Sequence, residues 1–255
     1  MRTLIFIPTY NEAGNVAALY QEIKRLGLGN DFLLLDDNSP DGTGEIIDRL
    51  ADADPTVHTI HRSGKLGIGS AHAEGIRWAY KHGYQVLVTM DCDFTHTPAS
   101  IPDLLKHVHG HHLVIGSRFL EKDSLPGWNL FRRSLTYGGH FMTGLLLGMH
   151  LDATGAFRVY RLDAIPQGVF ELISSTGYSF FFESLYILWL SGALVKEVPV
   201  TLPARIQGNS KMRMQDAWKS FSLLLKLGQR RLLRPQTLRY AQGLPTPLQI
   251  PADIL

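Results

Sequence analysis

Over its first ninety residues the chain alternates short apolar runs with longer segments whose apolar positions recur every three or four residues. The runs at 3–7, 32–35, 57–61 and 86–90 predict strands, and the segments at 13–26, 44–51 and 70–81 predict helices. Val86, Leu87, Val88 and Met90 are nearly continuous and rich in β-branched residues, as expected of a strand buried on both faces of a parallel sheet. Strand and helix in strict alternation point to a doubly wound, Rossmann-like α/β fold, mostly parallel with helices on both faces.

The second half is less regular. A strand is expected at 112–116, a helix over 128–147, a helix carrying Glu183 in F-F-F-E-S-L-Y, and a strand ending at 199–202. Met214 to Leu233 reads as an amphipathic helix with Trp218, Phe221, Leu225 and Leu232 on one side and Lys219, Lys226 and Arg230 on another. From Pro235 the chain is proline-rich and expected to run extended.

Composition narrows the classes. With 255 residues, 45% hydrophobic, 19% charged and a net charge of +2, the chain is an ordinary globular protein, and its charge gives no argument for nucleic acid. We expect one large domain. The single cysteine, Cys92, rules out an internal disulfide framework and suits a reducing compartment as a small buried side chain. Absence of a secretory leader and of an uninterrupted apolar span predicts a cytoplasmic protein without an integral anchor.

Candidate chemistry gathers at the predicted strand ends, where open α/β sheets bind ligands. Asp91 and Asp93 follow the fourth strand one residue apart, so both carboxylates can face one way and hold Mg2+ or Mn2+, with substrate phosphates completing the shell. A solvated acidic turn is the plainer alternative for that pair alone. Pro8-Thr9-Tyr10-Asn11-Glu12 follows the first strand, and Asp36-Asp37-Asn38-Ser39-Pro40-Asp41-Gly42 the second. After the third comes Arg62-Ser63-Gly64-Lys65-Leu66-Gly67-Ile68-Gly69, two cations and flexible backbone beside a helix N-terminus, a place that stabilises phosphate. Neither G-x-G-x-x-G after the first strand nor a P-loop is present, which lowers hydride transfer and ATP hydrolysis. His107 to His112, as H-V-H-G-H-H, could attract a metal but fits a helix end and turn better.

Taken in order, I-P-T-Y-N-E, D-D-N-S-P-D-G-T, K-L-G-I-G-S-A and D-C-D-F-T-H resemble the inverting family 2 glycosyltransferases of GT-A type. Within that family the polyprenyl-phosphate (dolichol-phosphate) mannosyltransferases and their glucosyl relatives are most similar. The resemblance extends through Gly116-Ser117-Arg118, Arg132 to Thr136, Asp152 to Arg158 and Arg205 to Lys211. It implies a catalytic domain over 1–213, followed by the amphipathic helix at 214–234 and the extended tail at 235–255.

The resemblance also implies roles. Pro8, Tyr10, Glu12 and Asp37 would surround the nucleoside, Lys65 and Asp91 would lie near the sugar-nucleotide, and Asp93 would be the main metal ligand. Thr95 stands where the family often has a glutamine ligand. Arg118, Arg132, Thr136, Arg205 and Ser210 would bind the acceptor phosphate, with Arg118, Arg132, Arg205 and Lys211 serving catalysis beside Asp91 and Asp93. Arg132 and Thr136, at i and i+4, share one helical face and could clamp one phosphate, although an exposed basic helix end is the plainer alternative.

The expected partners are therefore a nucleoside-diphosphate sugar, GDP-mannose first, a polyprenyl phosphate, and a membrane surface touched from the cytoplasmic side, with room for a membrane-anchoring subunit. Two other readings are open. One uses a saccharide hydroxyl as acceptor, with Glu183 as base; the other is a non-catalytic nucleotide-sugar-binding module of a membrane assembly. Glu183, set among aromatics, must in any case be functional or paired, with an arginine as the expected partner.

Overall fold

The computed structural model describes residues 1–203 and 214–247, without the side chains of Phe131 and Pro235. Seven strands form one sheet: β1 (Thr3–Thr9), β2 (Asp31–Asp36), β3 (Val57–His61), β4 (Val86–Thr89), β5 (Leu113–Ser117), β6 (Arg158–Arg161) and β7 (Val195–Pro199). Their order is β3-β2-β1-β4-β6-β5-β7. All pairings are parallel except those of β6, which runs antiparallel to both β4 and β5. The fold is thus the expected α/β, mostly parallel sheet, with one antiparallel strand that the sequence did not announce.

Helices α1 (Val16–Arg25), α2 (Thr43–Ala53), α3 (Ile68–Lys81), α4 (Ile101–Leu105), α5 (Leu130–Leu147), α6 (Phe180–Leu190) and α7 (Met214–Leu233) complete the chain. Alternation along β1 divides the core. Ile5 and Ile7 pack with Val16, Leu19, Ile23, Ile47 and Leu104 on one face, whereas Leu4 and Phe6 pack with Ala71, Ile76, Phe180 and Leu185 on the other. Helix α6 is buried from Phe180 to Leu188, so it is a core helix and needs no polar face.

One detail differs from expectation. The stretch from Pro235 opens with a 3-10 turn over Pro235–Leu238 instead of running extended, and Leu238 is buried. Further on, the carbonyl of Pro245 lies 2.7 Å from Nε2 of His112, tying this segment back to the start of β5. The histidine cluster is a 3-10 turn, Val108–Gly110, leading into β5, and among the described residues no group of three His, Cys, Asp or Glu side chains converges as a metal centre.

Candidate active site

Parallel strands deliver their carboxyl ends to one edge of the sheet, and the site is built there. Because β6 is antiparallel, its first residue, Arg158, lies in register with Thr89 and Ile115 near the ends of β4 and β5. The segment 152–157 that feeds β6 therefore joins the same edge. Thr89 Oγ1 donates to the carbonyl of Ala156 at 2.6 Å and fixes it.

The acidic pair follows β4 directly. Asp93 is buried, and its Oδ1 accepts from the amide and hydroxyl of Thr95 at 3.1 and 2.6 Å. Thr95, which the resemblance sets beside the metal, thus orients Asp93. Asp91 has a side chain 34% exposed, and its backbone N–H donates to Nδ1 of His96 at 2.9 Å. That bond places the ring proton on Nε2. His96 stacks on Phe157 and is held below its ordinary pKa by burial, against the pull of Asp91 and Asp93. Two carboxylates on one tight loop, one oriented and one open to solvent, form a hard-oxygen donor set that fits Mg2+ or Mn2+ with ligands still to be supplied by substrate and water.

Among the described residues, three of the four non-glycine residues with positive φ sit in these strand-end loops: Asn11, Asn38 and Phe94. Such strain is kept where surrounding bonds over-determine it. Asn11 N–H donates to Ser39 Oγ, Ser39 donates through N–H and Oγ to Asp36, and Asp37 N–H reaches the carbonyl of Thr9. The first two loops are therefore one bonded unit.

Within it, Pro8 lies in β1 opposite Leu35, and Tyr10 carries the Lys65 ammonium over its ring at 4.5 Å. Glu12 is buried and accepts from Asn15 Nδ2 at 2.7 Å. Asp37 is buried against Arg62, whose Nε and Nη2 both reach Oδ1. Burial draws the Asp37 carboxyl upward, and Arg62 opposes it. Arg62 also donates to Ser70 Oγ and to the carbonyl of Gly67. The structure therefore spends one of the two cations read as phosphate contacts on internal order, and Lys65 is the one of the pair exposed at the surface.

Across the edge, Arg118 follows β5 and is also committed. Its Nε and Nη2 grip Asp152 at 2.8 and 2.5 Å, Nη2 also donates to Thr154 Oγ1, and its backbone N–H returns to Asp152. Burial alone would raise the Asp152 carboxyl, but the Arg118 guanidinium and amide hold it below the usual range. These bonds use one edge of the guanidinium and leave Nη1 for a further acceptor. Asp152 as the partner of Arg118, and Arg62 as the partner of Asp37, are roles that no local sequence signal carried.

Next to Arg118, Phe119 stacks on His140 at 3.9 Å and meets Tyr137 edge-on, which seats α5 against the site. Arg132 lies over the Trp128 ring at 3.8 Å, and Thr136 Oγ1 donates to the carbonyl of Arg132 one turn back. Arg205, Ser210 and Lys211 lie outside the described residues. Glu183 differs from expectation. Among the described residues its partners are Ser174 and Ser175, neither of them an arginine.

A mostly parallel sheet with paired carboxylates beyond its central strand, a bonded pair of loops on one side and guanidinium groups on the other is an arrangement of GT-A type. The chain belongs to glycosyl transferase family 2, whose model matches residues 4–168. It is 38% identical over 213 residues to the undecaprenyl-phosphate mannosyltransferase of Micrococcus luteus, covering 83% of this chain and 88% of that one. It is 37% identical over 214 residues to the polyprenol monophosphomannose synthase of Mycolicibacterium smegmatis, covering 83% and 81%. Among solved structures it is similar to glucosyl-3-phosphoglycerate synthase from Mycobacterium tuberculosis in complex with Mn2+, UDP and glucosyl-3-phosphoglycerate, with a TM-score of 0.60, 17% identity and coverage of 92% and 79%. S. aureus TarS 1–349 follows, with a TM-score of 0.55, 13% identity and coverage of 92% and 66%. These last two likenesses show the fold. The protein is a glycosyltransferase.

Proposed function

We propose that this enzyme transfers mannose from GDP-mannose to a polyprenyl monophosphate with inversion, using a divalent cation at Asp91 and Asp93. The observation that carries the reading is the division of the sheet edge into an internally bonded acidic side and a guanidinium side against α5. Two relatives above 35% identity, named for undecaprenyl phosphate and polyprenol monophosphate mannosylation, support the choice of substrates.

In this reading Tyr10, Glu12 and Asp37 hold the nucleoside, Lys65 approaches the diphosphate, and the cation when bound offsets charge on the departing diphosphate. Arg118 and Arg132 hold the acceptor phosphate, with Arg205, Ser210 and Lys211 assigned to the same group from sequence. A phosphate oxygen attacks the anomeric carbon from the face opposite the leaving group, the bond to the diphosphate oxygen breaks, and the nucleoside diphosphate leaves with the electron pair. A phosphate monoester has a second pKa of about 6, so the nucleophile is largely ionised at neutral pH without a protein base. Four donors on the Glu183 carboxylate favour the phosphate acceptor over a saccharide hydroxyl that would need that residue as base.

We also propose peripheral membrane contact. No helix among the described residues is long and apolar enough to cross a membrane. Helix α7 packs through Leu224, Leu227 and Gly228, while Trp218 stays 70% exposed. Neighbouring α5 turns out Leu135, Tyr137, Phe141 and Leu145, with Phe141 67% exposed. Between the two helices lies a groove of about 570 Å³ lined by Tyr137, His140, Phe141, Leu145 and Arg231. An apolar face flanked by Lys219, Lys226 and Arg230 suits an anionic bilayer surface.

A donor panel tests the chemistry: GDP- and UDP-hexoses with polyprenyl phosphate and Mn2+, scored for lipid-linked sugar. GDP-mannose is expected to give product; transfer only to a soluble saccharide would overturn the acceptor assignment.

A further inference from the structure

Glu183 sits in the first turn of α6, 3% exposed among Phe180, Phe181 and Phe182. Its Oε1 accepts from Ser174 N and Oγ at 3.1 and 2.7 Å, and its Oε2 accepts from Ser175 N at 2.8 Å and from Ser175 Oγ. Four donors match the roughly four lone-pair positions of a carboxylate, so the side chain is a clamp on these two residues.

The clamped strip continues into Thr176 and Gly177, and there it meets the loop that carries Lys65. Ser70 N–H donates to the carbonyl of Thr176 at 2.9 Å. A Cβ on Gly67 would stand 2.5 Å from that carbonyl oxygen, and one on Gly69 would stand 2.6 Å from the carbonyl oxygen of Gly177. Both glycines are required by the closeness of the two backbones, and Gly67 also by its φ of +102°. From this contact the bonds run on: Ser70 Oγ donates to the carbonyl of Gly67, and Arg62 joins Ser70 and Gly67 to Asp37.

We infer that Glu183 is a positioning residue for the donor: through Ser174 and Ser175 it fixes the platform on which the Lys65 loop and the Arg62–Asp37 pair are set. The inference rests on the nucleotide-sugar reading of that side. It assigns a buried acid, on a helix remote in sequence from the strand-end motifs, to nucleotide affinity and to no step of bond making.

The test uses the full chain. Glu183→Gln keeps the shape but turns one acceptor oxygen into an N–H donor facing a serine donor. Calorimetry with GDP and Mn2+ gives nucleotide affinity, and steady-state rates give separate KM values for GDP-mannose and polyprenyl phosphate. The expected result is a roughly tenfold weaker GDP affinity and a matching rise in donor KM, about 1.4 kcal/mol, with acceptor KM unchanged. Gly67→Ala, which attacks the same contact from the loop side, should show the same donor-only defect, and the double variant should be less than additive. Should Glu183→Gln fail to fold, Ser175→Ala and Gly67→Ala decide by the same split. Equal rises in both KM values, or a fall in kcat with donor affinity intact, would overturn the inference. Wild-type protein that binds neither GDP nor UDP would overturn the nucleotide reading, a result distinguished by needing no variant, and the inference would fall with it.

Discussion

The two sides of the sheet edge handle charge and apolar surface in opposite ways. Around β1, β2 and β3, ionic and polar groups are bonded to one another inside the protein: Arg62 to Asp37, Asn15 to Glu12, Ser39 to Asp36. Around α5 and α7, large apolar groups face outward, among them Phe141 and Trp218. The first side is set before any ligand arrives, which suits a small soluble donor whose binding gains from low reorganisation. The second side is completed by its surroundings, which suits an acceptor delivered at an interface.

The comparison breaks most sharply at the metal pair. Asp93→Asn is expected to lower kcat by about 10³-fold or more while leaving the thermal midpoint near wild type, since the loss is of transition-state charge stabilisation worth several kcal/mol. Near-normal turnover at saturating Mn2+ would remove Asp93 from the metal.

On the outward side, changing Lys219, Lys226 and Arg230 together to glutamine should weaken partition onto anionic vesicles by up to about 3 kcal/mol at low salt, at roughly 1 kcal/mol per cation. Co-sedimentation equal to wild type and insensitive to salt would mean that this helix does not dock electrostatically.

A third measurement concerns the interior that both sides share. His72 packs among Phe6, Phe180 and Phe181, with neither ring nitrogen bonded among the described residues. Burial, helped by the nearby Arg158 and His96 charges, lowers its pKa to about 3. The folded state therefore takes up this proton later than the unfolded chain, whose histidine titrates near 6.5. Its contribution is complete above pH 6.5 and is lost as the pH falls toward 3, about 2 kcal/mol at pH 5. In urea titrations the stability of wild type relative to His72→Leu should fall by about 2 kcal/mol from pH 7 to pH 5, and an unchanged difference would exclude the effect.

The smallest effect sharpens the division: Arg132→Ala should raise acceptor KM about tenfold, the value of one charge-assisted contact, with GDP affinity unchanged. Equal damage to GDP binding would move Arg132 to the donor side.

The first four strands were legible because β1, β2 and β4 are near-continuous apolar runs, β3 carries the β-branched Val57, Thr59 and Ile60, and amphipathic helices set them apart. Strand β6 was not. Its sequence, Arg158-Val159-Tyr160-Arg161, begins and ends in arginine, and only tertiary contacts make that tolerable: Arg158 donates to the carbonyls of Gly155, Ala153 and Phe181, and Arg161 pairs with Asp163. The same reason limited the site. Asp91, Asp93 and Lys65 could be placed from their position after strands, but a cation spent internally looks like a free one until its partner 25 or 34 residues away is known, as for Arg62 and Arg118.

Strand β6 also orders the assembly of the sheet in time. A chain made only as far as β4 already contains four mutually paired parallel strands. Strand β5 is synthesised next, yet its two neighbours, β6 and β7, both come later. Leu113, Val114 and Ile115 must wait for about forty more residues before any native ladder can form on either side. Hydrogen exchange on stalled nascent chains that expose β5 but not yet Arg158–Arg161 should accordingly protect β1 and β2 amides and leave those of β5 open, and protection of β5 in such chains would exclude the order. Until Arg158–Arg161 arrives, β5 is an apolar strand with two open edges, the segment most exposed to mispairing with another chain.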